Sequence, residues 1–462
     1  MKRGQITVFL ALLLSIICGL LLTIIESTRI NAMRMQMESG MDIGLHSVFA
    51  EYNRALLSRY DLFYIDTSYG EGSSSIRNTK EHLFEYMQIN LAPNIDQRFA
   101  AGDWFQMDIR DMDIQTYLLA TDYDGRAMRR QAVNYMKHFA VYETLRDGKS
   151  IAGDIQSRGL DGKDVSGERS SAESGIVEIS IPKQISQINA LRGGNILDLV
   201  MSGRTISTKS VPIQSLTSHR RLEAGSGEEV FHEEVTGEEA DQLFDAYIFH
   251  KCSYETKQQV QGALDYEVEY IIMGKGSDRE NLEQISLELL KLREASNADY
   301  LFGDEEKKAQ AYELALILTG GVEIPGLVEA LTRSLIYAWA YAEAVLDVNC
   351  LLCNGRVPVM KSSGDWRLPL EDLLIFRSYL GSGGGSGLSY QEYLSAYLAK
   401  TEAVGKRMRC MDIIEANVRI MEGNADFCMD GCVEYMQAFV EINSGYGYEY
   451  TVMRDYGYEK IR

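Results

Sequence analysis

Ile6 to Ile25 is a run of twenty residues without a charged side chain, and it constrains the fold more than any other feature. At 1.5 Å per residue, a helix of that length covers about 30 Å, the thickness of a bilayer's hydrocarbon core. Fourteen of the twenty are Leu, Ile, Val or Phe. Contributing about −0.3 to −0.6 kcal/mol each near mid-span, they outweigh Thr7, Ser15 and Thr23. A transmembrane anchor is therefore expected over 6–25, carried by Ile6, Phe9, Leu13, Leu14, Ile17, Leu21 and Ile25. Lys2 and Arg3 precede the run and Glu26 ends it, so the positive-inside rule predicts a cytoplasmic tip at 1–5 and everything from residue 27 onward outside. A cleaved signal peptide has a shorter apolar core and an A-x-A-like site, and no such site follows Ile25.

The apolar pattern outlasts the membrane. Met33, Met37, Met41, Leu45, Val48, Phe49, Tyr52, Leu56 and Tyr60 recur at helical intervals, which predicts one long helix from about residue 5 to 60, with 26–62 as its extension. Such a stripe cannot remain in water, so Leu45, Phe49, Tyr52 and Leu56 are expected to pack on the chain's own outer domain, on a partner's helix, or on both in turn. Gly40 and Gly44 mark close packing or a bend. The remaining composition, 45% hydrophobic and 24% charged, is that of a globular protein. With 46 Lys+Arg against 67 Asp+Glu the net charge is −21. That balance repels phosphate backbones and excludes nucleic acid as a partner, leaving the lipid bilayer and other proteins.

The opening Lys2-Arg3-Gly4-Gln5-Ile6-Thr7-Val8-Phe9, followed by a leucine-rich span, resembles the start of TadE-like and TadG-like minor pilins of tight-adherence pilus systems. The runs 46–66 (HSVFAEYNRALLSRYDLFYID), 269–282 (EYIIMGKGSDRENL) and 337–352 (YAWAYAEAVLDVNCLL) are similar to an uncharacterised family of large, single-span Gram-positive proteins, mostly clostridial. This second resemblance covers nearly the whole chain. It implies a membrane-tethered extracytoplasmic protein associated with pilus or secretion apparatus proteins, and it brings no catalytic residues. Prepilins are cut after a glycine and carry a glutamate five residues later. With Gly4–Gln5 as the candidate processing site that position is Phe9, so retention of residues 1–4 is expected.

Beyond the long helix the pattern predicts an α+β fold, mainly helical, with antiparallel strands. Alternation over 103–119 predicts a strand, and Ala127, Met128, Val133 and Met136 predict a helix over 125–145 capped by Asp124; these fall in a first part, 63–147. Gly, Ser and Glu dominate much of 148–240, which is expected to be a loop-rich insertion. In the second part, 241–462, aromatic and β-branched residues around 244–249 and 266–272 predict two strands. The second ends in the turn Gly274-Lys275-Gly276, and Asp278 caps a helix through 295. Further helices are expected at 305–319, 326–352 and 388–422, with 381–387 (GSGGGSG) as a flexible connector, and Tyr446, Tyr448, Tyr450 and Val452 predict a closing hairpin.

No catalytic set stands out. Gly274-Lys275-Gly276-Ser277 lacks the second glycine of a phosphate-binding loop. Asp66, Ser68 and Gly70 are a fragment of a D-x-S-x-S cation site with its final serine replaced, and Asp122, Asp124 and Gly125 are a fragment of a calcium loop. His46, His82, His138, His219, His232 and His250 form no H-E-x-x-H pair. Asp111 and Asp113 share a strand face and are read as solvated. Six cysteines lie outside the span: Cys252, Cys350, Cys353, Cys410, Cys428 and Cys432. They are read as disulfides or buried thiols, ahead of zinc or redox chemistry. No cofactor or metal is implied. The chain is thus expected to be a noncatalytic structural or interaction protein; the alternative is a membrane-tethered cell-envelope enzyme with its site between the strands and the 326–352 helix.

Overall fold

No proline occurs before residue 93, and the chain opens with one uninterrupted helix, α1 (Lys2–Phe49). The computed structural model describes residues 2–459 except 71, 92–106, 139–147, 177–180, 202, 228–230, 232, 234, 259–260, 323, 325 and 382–384. The expected helix to residue 60 stops early. The Asn53 side chain accepts from the Leu56 backbone N–H at 3.0 Å and starts a separate helix, α2 (Arg54–Tyr60); a short amide that satisfies a helix N-terminus competes with continuing the helix before it. There follow β1 (Ile65–Asp66), α3 (Ile76–Leu91), β2 (Met107–Leu119) and α4 (Asp122–Lys137). Asp124 does not cap α4 as expected. Tyr123, Asp124 and Gly125 all take left-handed φ, and Asp122 accepts from the Leu119 and Gly225 amides at 2.8 and 2.9 Å.

Next come α5 (Gly148–Ser157), α6 (Ser166–Ser174), α7 (Lys183–Arg192) and α8 (Ile196–Val200). The expectation of a loop-rich 148–240 is thus corrected over 148–200, whereas the described residues of 201–236 carry one short 3-10 turn, Ile213–Ser215. Isolated helices this short are marginal, so composition does not announce them; buried Ile151, Ile155, Ile185, Ile188 and Leu197 hold them by packing. The chain continues through α9 (Gly237–Lys251), α10 (Glu267–Met273), α11 (Asp278–Gly303), α12 (Glu305–Leu318) and α13 (Leu327–Leu352). The strands expected near 244–249 and 266–272 are therefore helices. Their aromatic residues are buried on several sides, which erases the one-face pattern that separates a helix from a strand. Ser277, not Asp278, caps α11. The short strands β3 (Arg356–Val357) and β4 (Leu388–Ser389) pair antiparallel. The expected 388–422 helix breaks at Thr401 into α14 (Tyr390–Lys400) and α15 (Ala403–Arg419), where Glu402 accepts from the Val404 and Gly405 amides at 2.8 and 2.6 Å. Antiparallel β5 (Cys432–Ser444) and β6 (Glu449–Gly457) form the expected hairpin. The fold class is α+β, as read from the sequence.

The chain divides into two interleaved units in place of the three consecutive parts expected: 1–131 with 221–234 and 418–462, and 132–220 with 235–417. In the first unit β5 is central. It pairs with β2 from Met107↔Ser444 to Leu119↔Val433, with β6 from Asn443↔Glu449 to Tyr435↔Gly457, and with β1 at Cys432–Val433. One face of this sheet, through Met112, Ile114, Ala438, Val440 and Ile442, joins Met33, Met37, Met41, Leu45, Val48 and Phe49 of α1 in a single core. Burying those six α1 side chains contributes roughly 9–18 kcal/mol before entropy. Helix α3 closes the core with Leu83, Met87 and Leu91. A Cβ on Gly44 would lie 3.2 Å from Leu83 Cδ1 and 3.3 Å from Met87 Sδ, so this glycine marks close packing.

The second unit is helical and organised around α13, which is buried along nearly its whole length. Helices α6, α7, α8, α11 and α12 pack against it. Its apolar sequence passes the length and composition test for a membrane span, yet its surface is covered by protein.

Candidate functional site

The physical property that sets α1 apart is exposure without polarity. Ile6, Phe9, Leu13, Leu14, Ile17, Leu21 and Ile25 are each between 44% and 65% exposed. Leaving seven such side chains in water forfeits about 1.5–3 kcal/mol apiece, so this half of the helix demands an apolar environment. Gly4, in the candidate processing site Gly4–Gln5, lies in the same exposed helix. The second half of the helix is used differently. Leu45 and Phe49 are at most 2% exposed within the first unit's own core, Leu56 is buried and Tyr52 is half-buried. Of the expected alternatives, packing on the chain's own outer domain is thus found at Leu45, Phe49 and Leu56.

The remaining sequence candidates resolve into local structure. Asp66 Oδ1 accepts from the Ser68 amide and hydroxyl at 2.9 and 2.7 Å, and the Asn53 amide donates to Oδ2 at 3.3 Å; the D-x-S fragment is a tight turn. Gly274 ends α10 in a left-handed conformation, so Gly274-Lys275-Gly276 links two helices. Asp111 and Asp113 are exposed, and Asp113 pairs with Lys80 at 3.1 Å. Of the two alternatives read for the six outer cysteines, the structure has thiols: Cys252, Cys350, Cys410 and Cys432 are buried, and Cys353 and Cys428 are half-buried. The Cys428 sulfur accepts from Arg419 at 3.2 Å.

Two buried polar clusters in the second unit escaped the sequence reading. The first centres on Glu343 and Asp347, four residues apart on α13 and therefore on one face. Asp347 receives Lys361 at 2.6 Å, Arg367 at 2.9 Å, Arg293 at 3.1 Å and Asn297 at 3.1 Å. Glu343 accepts from the Arg367 and Leu368 amides at 3.2 and 3.0 Å and pairs with Lys361. Arg293 also donates to the Pro358 and Val359 carbonyls at 2.8 Å each. Burial alone would raise the Asp347 pKa, but Lys361, Arg293 and Arg367 overcome it and hold the carboxyl down at about 2. Glu343, Asp347 and Arg293 are fully buried, so they cannot touch a solute; their chemistry is mutual neutralisation. The signal in the sequence was two acids four residues apart inside the apolar run 337–352, which only cations from elsewhere could satisfy.

The second cluster pairs Glu255 with Glu269 of α10. Glu269 Oε1 accepts from the Tyr390 hydroxyl at 2.8 Å and from the Glu255 amide at 2.9 Å, while Arg204 donates to Glu255 Oε1. The second oxygen of each carboxyl is buried without a hydrogen-bond partner. Burial pushes Glu269 up to about 8 and Glu255 up to about 7, so protons reside here near neutral pH.

Residues 177–444, more than half of the chain, match the family of unknown function DUF5702. The chain belongs to that family. The DUF5702 match covers most of the second unit and β5 of the first, but not α1. Comparison with curated proteins and with solved structures found no match.

Proposed function

We propose that this DUF5702 protein is a single-pass membrane protein whose outer portion does structural or interaction work, as a minor-pilin-like component of a tight-adherence pilus or secretion apparatus. One observation carries the reading: a single helix whose first half is apolar and exposed and whose second half is the core-forming element of an antiparallel sheet. Such a helix transmits the position of the membrane directly to the folded unit, with no linker between. Lys2 and Arg3 before the span support an orientation with residues 1–5 in the cytoplasm and residue 27 onward outside.

Protease added to intact, wall-stripped cells is expected to digest the portion beyond residue 27, and complete protection refutes the orientation. Changing Leu13 and Leu14 to arginine adds about 3 kcal/mol each at mid-span and should release the protein from membranes. The apparatus assignment is tested separately, by copurification of the full chain with a secretion ATPase or prepilin peptidase encoded nearby; a chain recovered without any such component counts against it.

A further inference from the structure

The apolar half of α1 is not the first unit's sole route to a membrane. Taking 6–25 as the span, a premise that rests on the anchoring proposed above, the next turn of the helix, Glu26 to Arg29, occupies about 6 Å beyond the hydrocarbon core, the headgroup layer. The loop between β5 and β6 meets the helix at that level. The Tyr448 hydroxyl donates to Glu26. The Arg29 guanidinium lies 3.6 Å from the centre of the Tyr446 ring and binds Glu26 at 2.7 Å. The loop is tightly built. The Ser444 amide donates to the Tyr448 carbonyl at 2.9 Å, the Gly447 amide donates to the Ser444 carbonyl at 3.0 Å, and Gly447 takes φ +82°, a conformation that favours glycine. Tyr446 projects from it 44% exposed, with Tyr448 and Tyr450 beside it at ring centres 6.5 Å apart.

We propose that this hairpin tip, residues 445–450, is a second membrane contact, with Tyr446 seated among lipid headgroups. Exposed Tyr446 matches the chemistry of that layer, which favours rings with an apolar body and a polar hydroxyl, while Tyr448 and Tyr450, packed against the unit's core, hold the tip in place. The local charges are compatible, because Glu26 and Arg29 neutralise each other, Arg29 is further covered by Tyr446, and the exposed Glu449 of the tip pairs with Arg110 at 3.2 Å. The site is continuous with the exposed apolar helix, so no other surface needs to be invoked to bring lipid to it. Two contacts fix more than one does: a lone helix lets the first unit swivel about its axis, whereas a helix plus a hairpin tip sets its tilt.

The test places the photo-crosslinker benzoylphenylalanine at position 13, 446 or 453 of the full chain, reconstituted in vesicles of phosphatidylcholine and phosphatidylglycerol. Met453 is the control: it is exposed on β6, beside Arg454, which reaches Glu38 and Asp42 of α1, more than two helical turns above Glu26. Lipid adducts are expected at 13 and 446 and not at 453. Lipid at 13 with none at 446, or an adduct to protein at 446, overturns the hairpin contact while leaving the anchor in place. Lipid at all three positions also overturns it, since the tip is then no closer to lipid than the rest of β6. Absence of lipid at 13 overturns the anchor and the hairpin contact with it.

Discussion

Replacing Asp347 by asparagine keeps the side chain's shape and removes one of the two anions that Arg293, Lys361 and Arg367 share. Buried Arg293 would then lose its only carboxylate partner among the described residues, and Lys361 and half-buried Arg367 would keep Glu343 alone. A folded pKa of about 2 against an ordinary 3.8 corresponds to about 2 kcal/mol of net stabilisation of the charged form. Stranding a buried charge by removing its partner costs about 3–5 kcal/mol. The loss should therefore fall at about 2–5 kcal/mol at pH 7. Because the folded pKa is depressed, this stabilisation is fully present above pH 3.8 and disappears as pH falls through 2. The gap between parent and variant should accordingly narrow in acid. Urea unfolding of the full chain in detergent, followed by tryptophan fluorescence, reads the relevant region. Trp339 is fully buried and donates to the Leu368 carbonyl at 2.8 Å, while the Leu368 amide holds Glu343. A gap below about 1 kcal/mol at pH 7 refutes the reasoning, and so does a gap that persists unchanged at pH 2.

Glu269 has its pKa raised to about 8, so the folded state holds a proton that the unfolded chain releases near pH 4.5; stability should fall as pH rises from 4.5 to 8, and Glu269→Gln should flatten that slope in pH-dependent unfolding. Gly44→Ala should be near neutral, since a helix gain of about 1 kcal/mol offsets the small displacement of Leu83 and Met87, whereas Gly44→Val should cost about 1–3 kcal/mol in the same assay; a valine variant as stable as the parent contradicts the close packing. Phe49→Ser should cost about 3–5 kcal/mol and make the first unit sensitive to limited proteolysis, so loss of a partner in that variant reports unfolding and not a lost interface.

Legibility followed how local each signal was. The anchor and α13 announced themselves through long apolar runs, and the β5–β6 hairpin through alternation at Tyr448, Tyr450 and Val452, because these patterns lie within single elements. Helix α3 carried a readable stripe in Leu83, Met87 and Leu91 that the reading passed over. By contrast, α9 and α10 are buried on several sides, so the aromatic residues that suggested strands carried no face to correct the impression. The Asp347 cluster was legible only in half. The spacing of Glu343 and Asp347 carried a signal that went unread, and Lys361 and Arg367 come from irregular chain and reach them only through tertiary folding.

The interleaving of the first unit has a consequence for how the chain is made. The Thr67 hydroxyl donates to the carbonyl of Gly431, a partner 364 positions later, and β5, the strand on which β1, β2 and β6 all pair, follows nearly the entire second unit in the sequence. During synthesis the methionine-rich half of α1 emerges early, while its cover is among the last segments to be translated. At about 5–20 residues per second the nascent chain carries that bare apolar surface for tens of seconds. Helix α3 can cover part of the stripe early through Leu83, Met87 and Leu91, but the sheet face that completes the core arrives only with β5, so a chain that stops before residue 432 leaves the stripe incompletely covered.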